Sequence, residues 1–311
     1  MSAIIQVTHL SKSYKDLKAV DDISFTVEQG DVYGFLGQNG AGKSTTIRML
    51  LTLIQPSAGK IELFGMDLYK HRKDILRQVG AVIERPDLYK YLTAYENLSL
   101  FARMSGIRPT RQQLLDQLEL VGLKDRVNSP VKTFSQGMKQ RLGIAVALVH
   151  DPQLIMLDEP TNGLDPQGIA DIRQLIINLS HQRKKTVLVS SHLLHEIEMT
   201  ANRMIIIDKG KKVAEGGVHE LFDPSRMLIR VGIDNLATVL PAIRKSRWQA
   251  LIREQTADSI LLQMDQQQVP ALTTELVQIG AAINALQPQH SLEAYFLALT
   301  TANRHVDPLT N

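Results

Sequence analysis

The chain has 311 residues, of which 44% are hydrophobic and 22% charged, the composition of a soluble globular protein large enough for two domains. Its 35 lysines and arginines nearly balance its 32 aspartates and glutamates and do not run together, so no nucleic-acid footprint is indicated. The absence of cysteine excludes disulfides and cysteine nucleophiles, and since no stretch approaches the ~18 apolar residues that cross a bilayer, we expect a cytosolic chain.

Up to about residue 220, short β-branched segments alternate with longer helical ones, which is typical of an α/β domain around a mostly parallel sheet. Residues 89–150 have apolar residues at helical spacing and are predicted to form a helical subdomain. The last predicted strand turns at Lys209-Gly210 and returns through Lys212–Ala214 as a hairpin. The predicted strands are Ile4–Val7, Ile23–Val27, Asp31–Leu36, Lys60–Leu63, Val79–Ile83, Leu154–Leu157, Thr186–Ser190 and Met204–Asp208.

The composition changes after Leu221, so we predict an α/β domain over residues 1–221 and an accessory domain over residues 222–311. The accessory domain repeats a strand–helix–strand order, which predicts a small ferredoxin-like α+β module. It shows no catalytic constellation, because Trp248 is isolated and His290 and His305 lack convergent partners, and packing or dimer support is its expected role. Its predicted elements are strand Met227–Ile233, helix Leu236–Lys245, strands Trp248–Arg253 and Ile260–Met264, helix Val269–Ile279, strand Ala282–Leu286 and helix Leu292–Leu299.

A glycine-rich segment between a predicted strand and the predicted helix Thr46–Leu53 satisfies the phosphate-loop pattern G-x-x-x-x-G-K-[ST]. Its glycines let backbone N–H groups converge on phosphate oxygens, and the helix N-terminus adds partial positive charge. Lys43 is placed to reach the β- and γ-phosphates of ATP, and Ser44 to bind Mg²⁺. The alternative is a glycine turn that only precedes a helix. The loop comprises Gly37, Gln38, Asn39, Gly40, Ala41, Gly42, Lys43, Ser44 and Thr45.

Four apolar residues followed by two carboxylates, from Leu154 to Glu159, indicate a buried strand that delivers charge at its carboxyl end. Asp158 is predicted to orient Mg²⁺, and Glu159 to polarise the attacking water as a catalytic residue. Pro160 leaves open the alternative of an acidic helix or loop start. Together with the phosphate loop, this segment predicts an enzyme that binds and hydrolyses ATP.

The segment Phe134-Ser135-Gln136-Gly137-Met138 resembles the L-S-G-G-Q signature motif of ABC-transporter ATPases. It departs from that motif at three positions but keeps Ser135 and Gly137, the two residues that contact phosphate in the family. Ser135 is also a good N-cap for a helix Met138–Val149, so the segment taken alone fits an ordinary capped amphipathic helix.

Other motifs of the ABC family follow in order between Ile4 and about Gly217. By this resemblance, Tyr14 stacks on adenine, Asp165 belongs to the loop that links two nucleotide sites, and His192 contacts the γ-phosphate and helps to hold the attacking water. A routine surface tyrosine is the alternative for Tyr14. A metal site of His192 with His195 and Glu196 is the alternative for the histidine, but its spacing is not H-E-x-x-H and a third ligand is lacking.

The family has a glutamine after the Val79–Ile83 strand, which contacts Mg²⁺ and signals to the membrane subunit, whereas this sequence has Glu84. A carboxylate repels the γ-phosphate unless Mg²⁺ lies between them, so Glu84 is expected to bind the metal or to stay withdrawn until a dimer closes. A surface position without a special role is the alternative. Glu84, with Pro86 and Tyr95-Glu96-Asn97-Leu98, resembles the ATPases of bacitracin-resistance and lantibiotic-immunity exporters.

The resemblance implies a sandwich dimer, either a homodimer or a pair with a second ABC ATPase, in which Ser135 and Gly137 of one chain complete the partner's ATP site. It also implies an exporter of an antimicrobial peptide, drug or ion with separate integral membrane permease subunits, and a chain peripheral at the inner face of the membrane. In the family, residues 89–97 receive a helix of the permease; Tyr89, Tyr91 and Tyr95 either form its floor or pack in the core. Two alternatives are a soluble ABC ATPase acting on ribosomes or DNA and a non-ABC P-loop kinase.

Overall fold

The computed structural model describes residues 2–15, 17–221 and 227–289. The chain divides into two compact units, Met1–Val218 and His219–Asn311. The predicted helix Leu292–Leu299 and the residues His290 and His305 lie outside the described residues.

The first unit is built from two β-sheets and the helices that pack on them. Its strands are β1 (Ala3–Tyr14), β2 (Leu17–Glu28), β3 (Val32–Leu36), β4 (Ala58–Leu63), β5 (Met66–Asp67), β6 (Val79–Ile83), β7 (Leu154–Asp158), β8 (Thr186–Ser191), β9 (Arg203–Asp208) and β10 (Lys211–Gly217). Its helices are α1 (Lys43–Leu50), α2 (Arg72–Leu76), α3 (Ala94–Met104), α4 (Arg111–Leu120), α5 (Gln136–Leu148), α6 (Pro166–His181) and α7 (Leu194–Glu198), and α8 (Val218–Leu221) follows β10.

The larger sheet has the strand order β10-β9-β3-β8-β7-β6, and all of its pairings are parallel except that of β9 with β10. Strands β3, β7 and β8 are buried at every position, which is why their sequences are almost continuously apolar rather than alternating. Because parallel strands end at one edge of a sheet, the segments that follow β3, β6, β7 and β8 are brought together there.

The smaller sheet has the order β2-β1-β4-β5 and is antiparallel throughout. Its first two strands have 12 residues each, much longer than the predicted Ile4–Val7 and Ile23–Val27. They continue because they pair with each other as far as Tyr14 and Leu17, where their side chains are exposed and the apolar alternation is weak. The apolar pattern marks only the part of a strand that faces the core.

The helical subdomain consists of α3, α4 and α5, which pack on one another. Helices α3 and α4 both begin with a capping box, formed by Thr93 with Glu96 and by Thr110 with Gln113. Helix α5 begins after Ser135, whose hydroxyl accepts a hydrogen bond from the Met138 N–H, as its predicted N-cap role requires.

The second unit has the element order β11 (Met227–Ile233), α9 (Leu236–Ile243), β12 (Ile252–Gln255), β13 (Ser259–Met264), α10 (Val269–Gln278) and β14 (Ile283–Gln289). Its antiparallel sheet has the order β12-β13-β11-β14, so each strand–helix–strand unit encloses a strand of the other, as in a ferredoxin-like fold. The apolar faces of the sheet and of both helices form one core.

The predicted strand Trp248–Arg253 is wrong over its first four residues. Residues Arg247–Leu251 form a 3₁₀ helix whose N-cap is Ser246, and the strand begins only at Ile252. The Trp248 indole is buried and donates a hydrogen bond of 2.6 Å to the Glu275 carboxylate on α10. This long-range contact and the local cap favour the 3₁₀ helix in a segment whose apolar residues suit a strand equally well.

Candidate functional site

The phosphate loop joins the end of β3 to the start of α1, as predicted, but α1 begins at Lys43 rather than at Thr46. Gly42 precedes the helix with a φ of +107°, and a Cβ there would lie 2.5 Å from the Ala19 carbonyl oxygen. Only glycine fits this backbone and this approach. Within the loop Ala41 and Gly42 are buried, Gln38, Ser44 and Thr45 are half-buried, and Asn39 and Gly40 are exposed.

Lys43 is 5% exposed, and its ammonium group lies beneath the loop. The Nζ atom donates to the carbonyl oxygens of Gly37 at 2.7 Å and Gln38 at 3.2 Å, and it lies 3.0 Å from Glu159 Oε1. Lys43 Nζ thus makes two hydrogen bonds and one ion pair, since Glu159 Oε1 is buried without a hydrogen-bond partner among the residues described. Because an ammonium group has three N–H donors, one of them is left to donate to a phosphate oxygen.

Asp158 ends β7 and is 1% exposed. Its Oδ1 atom accepts a hydrogen bond of 2.6 Å from the Ser190 hydroxyl, whereas Oδ2 is buried without a hydrogen-bond partner. A buried carboxylate oxygen without a partner is costly, and carboxylate oxygen is a ligand that Mg²⁺ prefers. The donor set at this position therefore fits a magnesium ion.

Glu159 follows Asp158 with a φ of +50°, a left-handed backbone that is uncommon for a residue with a Cβ. Its N–H donates to the Ser190 hydroxyl at 2.9 Å, and its Oε2 atom lies 2.8 Å from Nδ1 of His192. The structure thus brings Lys43, Glu159 and His192 into one chain of contacts at the carboxyl edge of the sheet. A cation, a carboxylate and an imidazole in this order can serve as a phosphate contact, a general base and a group that orients the base.

Ser190 holds both carboxylate residues, and sequence reasoning did not single it out. It is fully buried on β8, directly opposite Asp158 in the parallel register. The available sequence signal was that Ser190 lies at a strand end, two residues before His192. That signal points to Asp158 only if the pairing of β8 with β7 is known.

Glu84 follows β6, also with a positive φ of +56°. Its carboxylate forms an ion pair with the Arg48 guanidinium on α1, and its side chain is 65% exposed. Arg48 is a second residue that sequence reasoning missed, because its partner lies 36 positions away.

Among the residues described, no hydrogen bond or ion pair joins the other predicted residues Tyr14, Ser135 and Asp165 to the phosphate loop. Tyr14 is exposed at the end of β1, with the Lys12 ammonium 4.9 Å from its ring centroid. Asp165 is the N-cap of α6 and accepts from the Gly168 N–H at 3.1 Å. Gly137 lies in the first turn of α5, and its nearest neighbours are Leu164 and Gly168.

The rival site of His192, His195 and Glu196 is not assembled. Glu196 accepts hydrogen bonds from the hydroxyls of Thr161 and Ser191 instead. Within residues 2–15, 17–221 and 227–289, no group of three or more His, Asp or Glu side chains forms a metal cage. A magnesium ion held by Asp158 and Ser44 would take most of its ligands from phosphate and water, as is usual for this ion.

Two tyrosines of the segment 89–97 are on the surface rather than in the core. Tyr91 is 84% exposed, with the Lys132 ammonium 5.7 Å from its ring, and Tyr89 is exposed beside Phe101. Tyr95 is half-buried.

None of the described helices is both long enough and apolar enough to span a bilayer.

Comparison with known proteins identifies the family. The ABC transporter family matches residues 20–162. The bacitracin transport ATP-binding protein BcrA of Bacillus licheniformis is 51% identical over 216 residues, which are 69% of this chain and 70% of the relative. The lantibiotic transport ATP-binding protein SrtF of Streptococcus pyogenes is 40% identical over 212 residues, 68% of this chain and 90% of the relative.

A solved ATP-binding cassette, a dimer in a post-hydrolysis state bound to ADP and phosphate, superposes with a TM-score of 0.63 at 26% identity. The match covers 69% of this chain and 98% of that one. The chain therefore belongs to the ABC transporter family, as one of its ATP-binding and ATP-hydrolysing subunits.

Proposed function

We propose that this chain powers an exporter of an antimicrobial peptide or drug, through permease subunits that are separate polypeptides. Its resemblance to relatives named for bacitracin and lantibiotic transport supports this substrate class. The observation that carries the energising role is the contact chain from Lys43 through Glu159 to His192 beside the buried Asp158. In this proposal the chain is cytoplasmic and peripheral at the inner face of the membrane.

Each residue of the site has a different role in ATP hydrolysis. Lys43 neutralises charge on the β- and γ-phosphates, and Glu159 orients the attacking water and takes its proton. His192 holds the Glu159 carboxylate through Nδ1, which leaves Nε2 to face the γ-phosphate. Ser44 and Asp158 are the residues that hold magnesium, and the ion supplies charge neutralisation at the phosphate oxygens when it is bound.

The remaining predicted residues act across a dimer. Ser135 and Gly137 lie at the N-terminus of the 13-residue helix α5, where unsatisfied N–H groups favour an anion. Among the described residues they make no hydrogen bond to the phosphate loop of the same chain, as expected if they complete the site of a facing chain. Asp165 lies in the loop between the two sites, and Tyr14 stacks on adenine.

The substitution Glu159→Gln tests the catalytic assignment. It removes the general base while it keeps the side-chain shape, so hydrolysis is expected to fall about 10²- to 10⁴-fold with ATP binding retained. The variant should also accumulate as an ATP-bound dimer, measured by analytical ultracentrifugation. Glu119→Gln, at a surface ion pair with Lys124, is the matched control and should hydrolyse ATP normally.

Two outcomes contradict the proposal at different points. Wild-type hydrolysis by Glu159→Gln means that the general base is another residue, and a monomer at saturating ATP means that the sandwich dimer is wrong. The exporter role is tested separately by purification of the chain from membranes, where a multi-span permease should accompany it. Association with ribosomes instead supports the alternative of a soluble ABC ATPase.

A further inference from the structure

Two adjacent strands of the large sheet are each followed by a glutamate with a left-handed backbone conformation. Glu84 follows β6 and Glu159 follows β7, and their φ angles are +56° and +50°. In the parallel register, Ile83 lies opposite Asp158, so Glu84 emerges next to the catalytic carboxylates. Left-handed conformations are rare for residues with a Cβ and occur at functional sites, where surrounding contacts maintain them.

The two glutamates nevertheless have different partners. Glu159 contacts Lys43 and His192 inside the site, whereas the Glu84 carboxylate is held by Arg48. Arg48 lies five residues after Lys43 on α1, about 7.5 Å farther along the helix axis. The Glu84 carboxylate is therefore engaged by a side chain of the second turn of α1, whereas Glu159 is engaged by Lys43 at the start of that helix.

Arg48 is the partner of Glu84 although another arginine is nearer in sequence. Arg85 is exposed and makes no hydrogen bond or ion pair among the residues that the structure describes. The Glu84 carboxylate is thus paired with α1 and not with the arginine that follows it in sequence. Arg85 thus provides a natural control, with the same charge one position away.

The segment after Glu84 contacts the helical subdomain. Pro86 lies so close to α5 that a Cβ on Gly143 would be 2.4 Å from the Pro86 Cβ. The Arg48–Glu84 pair and the Pro86–Gly143 contact lie two residues apart on the same loop. Through this loop the phosphate-binding helix α1 is connected to α5, the helix that starts at Ser135.

We propose that Arg48 is a positioning residue that holds Glu84 away from the nucleotide phosphates until ATP arrives with magnesium. This inference rests on the proposed function. It assigns Arg48 as the partner, before ATP binds, of Glu84, which stands where the family has a glutamine. When Arg48 keeps Glu84 withdrawn, ATP meets no additional negative charge. Without Arg48, the carboxylate is free to turn toward the γ-phosphate and repels it unless magnesium lies between them.

The test is the effect of Arg48→Met on nucleotide affinity in two backgrounds, wild type and Glu84→Gln. Binding of N-methylanthraniloyl-ATP is measured by fluorescence with excess chelator and again with Mg²⁺. Repulsion of one unit charge over a few ångströms at high effective dielectric predicts about three- to tenfold weaker binding without magnesium. The loss should be much smaller with Mg²⁺ and should disappear in the Glu84→Gln background.

Two further variants make the result specific to this pair. Arg85→Met removes the neighbouring positive charge and should leave magnesium-free affinity unchanged. Arg48→Lys keeps the charge that holds Glu84 and should bind nearly as wild type does. Thermal unfolding of each variant in the absence of nucleotide establishes that it is folded.

An equal effect of Arg48→Met in both backgrounds overturns the proposal, because the arginine then acts without Glu84. An equal loss with and without Mg²⁺ also overturns it, since a structural defect of α1 weakens binding in both conditions. A wild-type chain that binds no nucleotide, or a Lys43→Ala variant that binds normally, refutes the proposed function instead.

Discussion

The substitution Ser190→Ala removes the hydroxyl group that holds both carboxylate residues of the site. In the wild type, this hydroxyl donates to Asp158 Oδ1 at 2.6 Å and accepts from the Glu159 N–H at 2.9 Å. Ser190 is fully buried, so neither group gains water when the hydroxyl is lost. The variant is therefore expected to be less stable and also less active.

The magnitude follows from the two lost hydrogen bonds. A hydrogen bond to a charged group contributes about 1.5–3 kcal/mol, and a buried N–H left without a partner costs about 1–3 kcal/mol. The free energy of unfolding is thus expected to fall by about 2.5–6 kcal/mol. For a unit of 218 residues, with an unfolding entropy of about 2.1 cal/mol/K per residue, this corresponds to a thermal midpoint about 5–13 °C lower.

Ser180→Ala is the matched control for this measurement. Ser180 is also buried, but its hydroxyl makes a single hydrogen bond, 3.0 Å long, to the neutral Gly30 carbonyl. Its loss is expected to cost about 1 kcal/mol. Both variants are compared with wild type by thermal unfolding, monitored by circular dichroism without nucleotide, and by ATP hydrolysis.

Ser190→Ala should also hydrolyse ATP about 10- to 10²-fold more slowly, because a small misplacement of catalytic groups has effects of this size. Ser180→Ala should hydrolyse ATP at the wild-type rate. A Ser190→Ala protein that loses no more stability than Ser180→Ala refutes the claim that this hydroxyl supports the two carboxylates.

Two other predictions concern stability. Hydrogen bonds from the Thr93 N–H and hydroxyl lower the pKa of Glu96 below its ordinary 4.5. The ionised Glu96 carboxylate therefore stabilises the fold at pH values above its pKa in the unfolded chain. This stabilisation is lost as the pH falls through the lower pKa of the folded protein. The difference in free energy of unfolding between wild type and Glu96→Gln, measured by guanidinium unfolding, should hence be constant above about pH 6 and shrink below about pH 4.5. A difference that stays constant at low pH contradicts the role of the Glu96 charge. Glu275→Ala removes the acceptor of the Trp248 indole and the ion-pair partner of Arg247, and should destabilise the second unit by about 1.5–3 kcal/mol. Trp248 is the chain's single tryptophan, so its fluorescence reports this transition, and an unchanged midpoint rules out the contact as a source of stability.

The family and the α/β fold class predicted from sequence are both confirmed. The phosphate loop was predictable because its requirements are local: glycines at fixed positions, a preceding strand and a following helix. The backbone of Gly42 and its close approach to Ala19 show why that position needs glycine. The roles of the individual site residues stay predictions, which the substitutions above test.

Sequence patterns were weaker where a segment's structure depends on distant contacts. Trp248 has an apolar side chain that suits a strand, yet its indole hydrogen bond to Glu275 accompanies a 3₁₀ helix. The paired lengths of β1 and β2 were underestimated for a related reason, since their hairpin extends beyond the residues that face the core. Interstrand hydrogen bonds extend a strand without leaving an apolar pattern.

The sequence alone determined which groups meet at the candidate site, because strand ends deliver Asp158, Glu159 and His192 to one edge of a parallel sheet wherever the sheet forms. Only the tertiary structure decided which groups hold those side chains. Ser190 lies opposite Asp158 because β7 and β8 are neighbours in the sheet, and Arg48 on α1 meets Glu84, which follows β6, across 36 positions of sequence. Such pairings depend on strand order and helix packing, which a local sequence pattern does not encode.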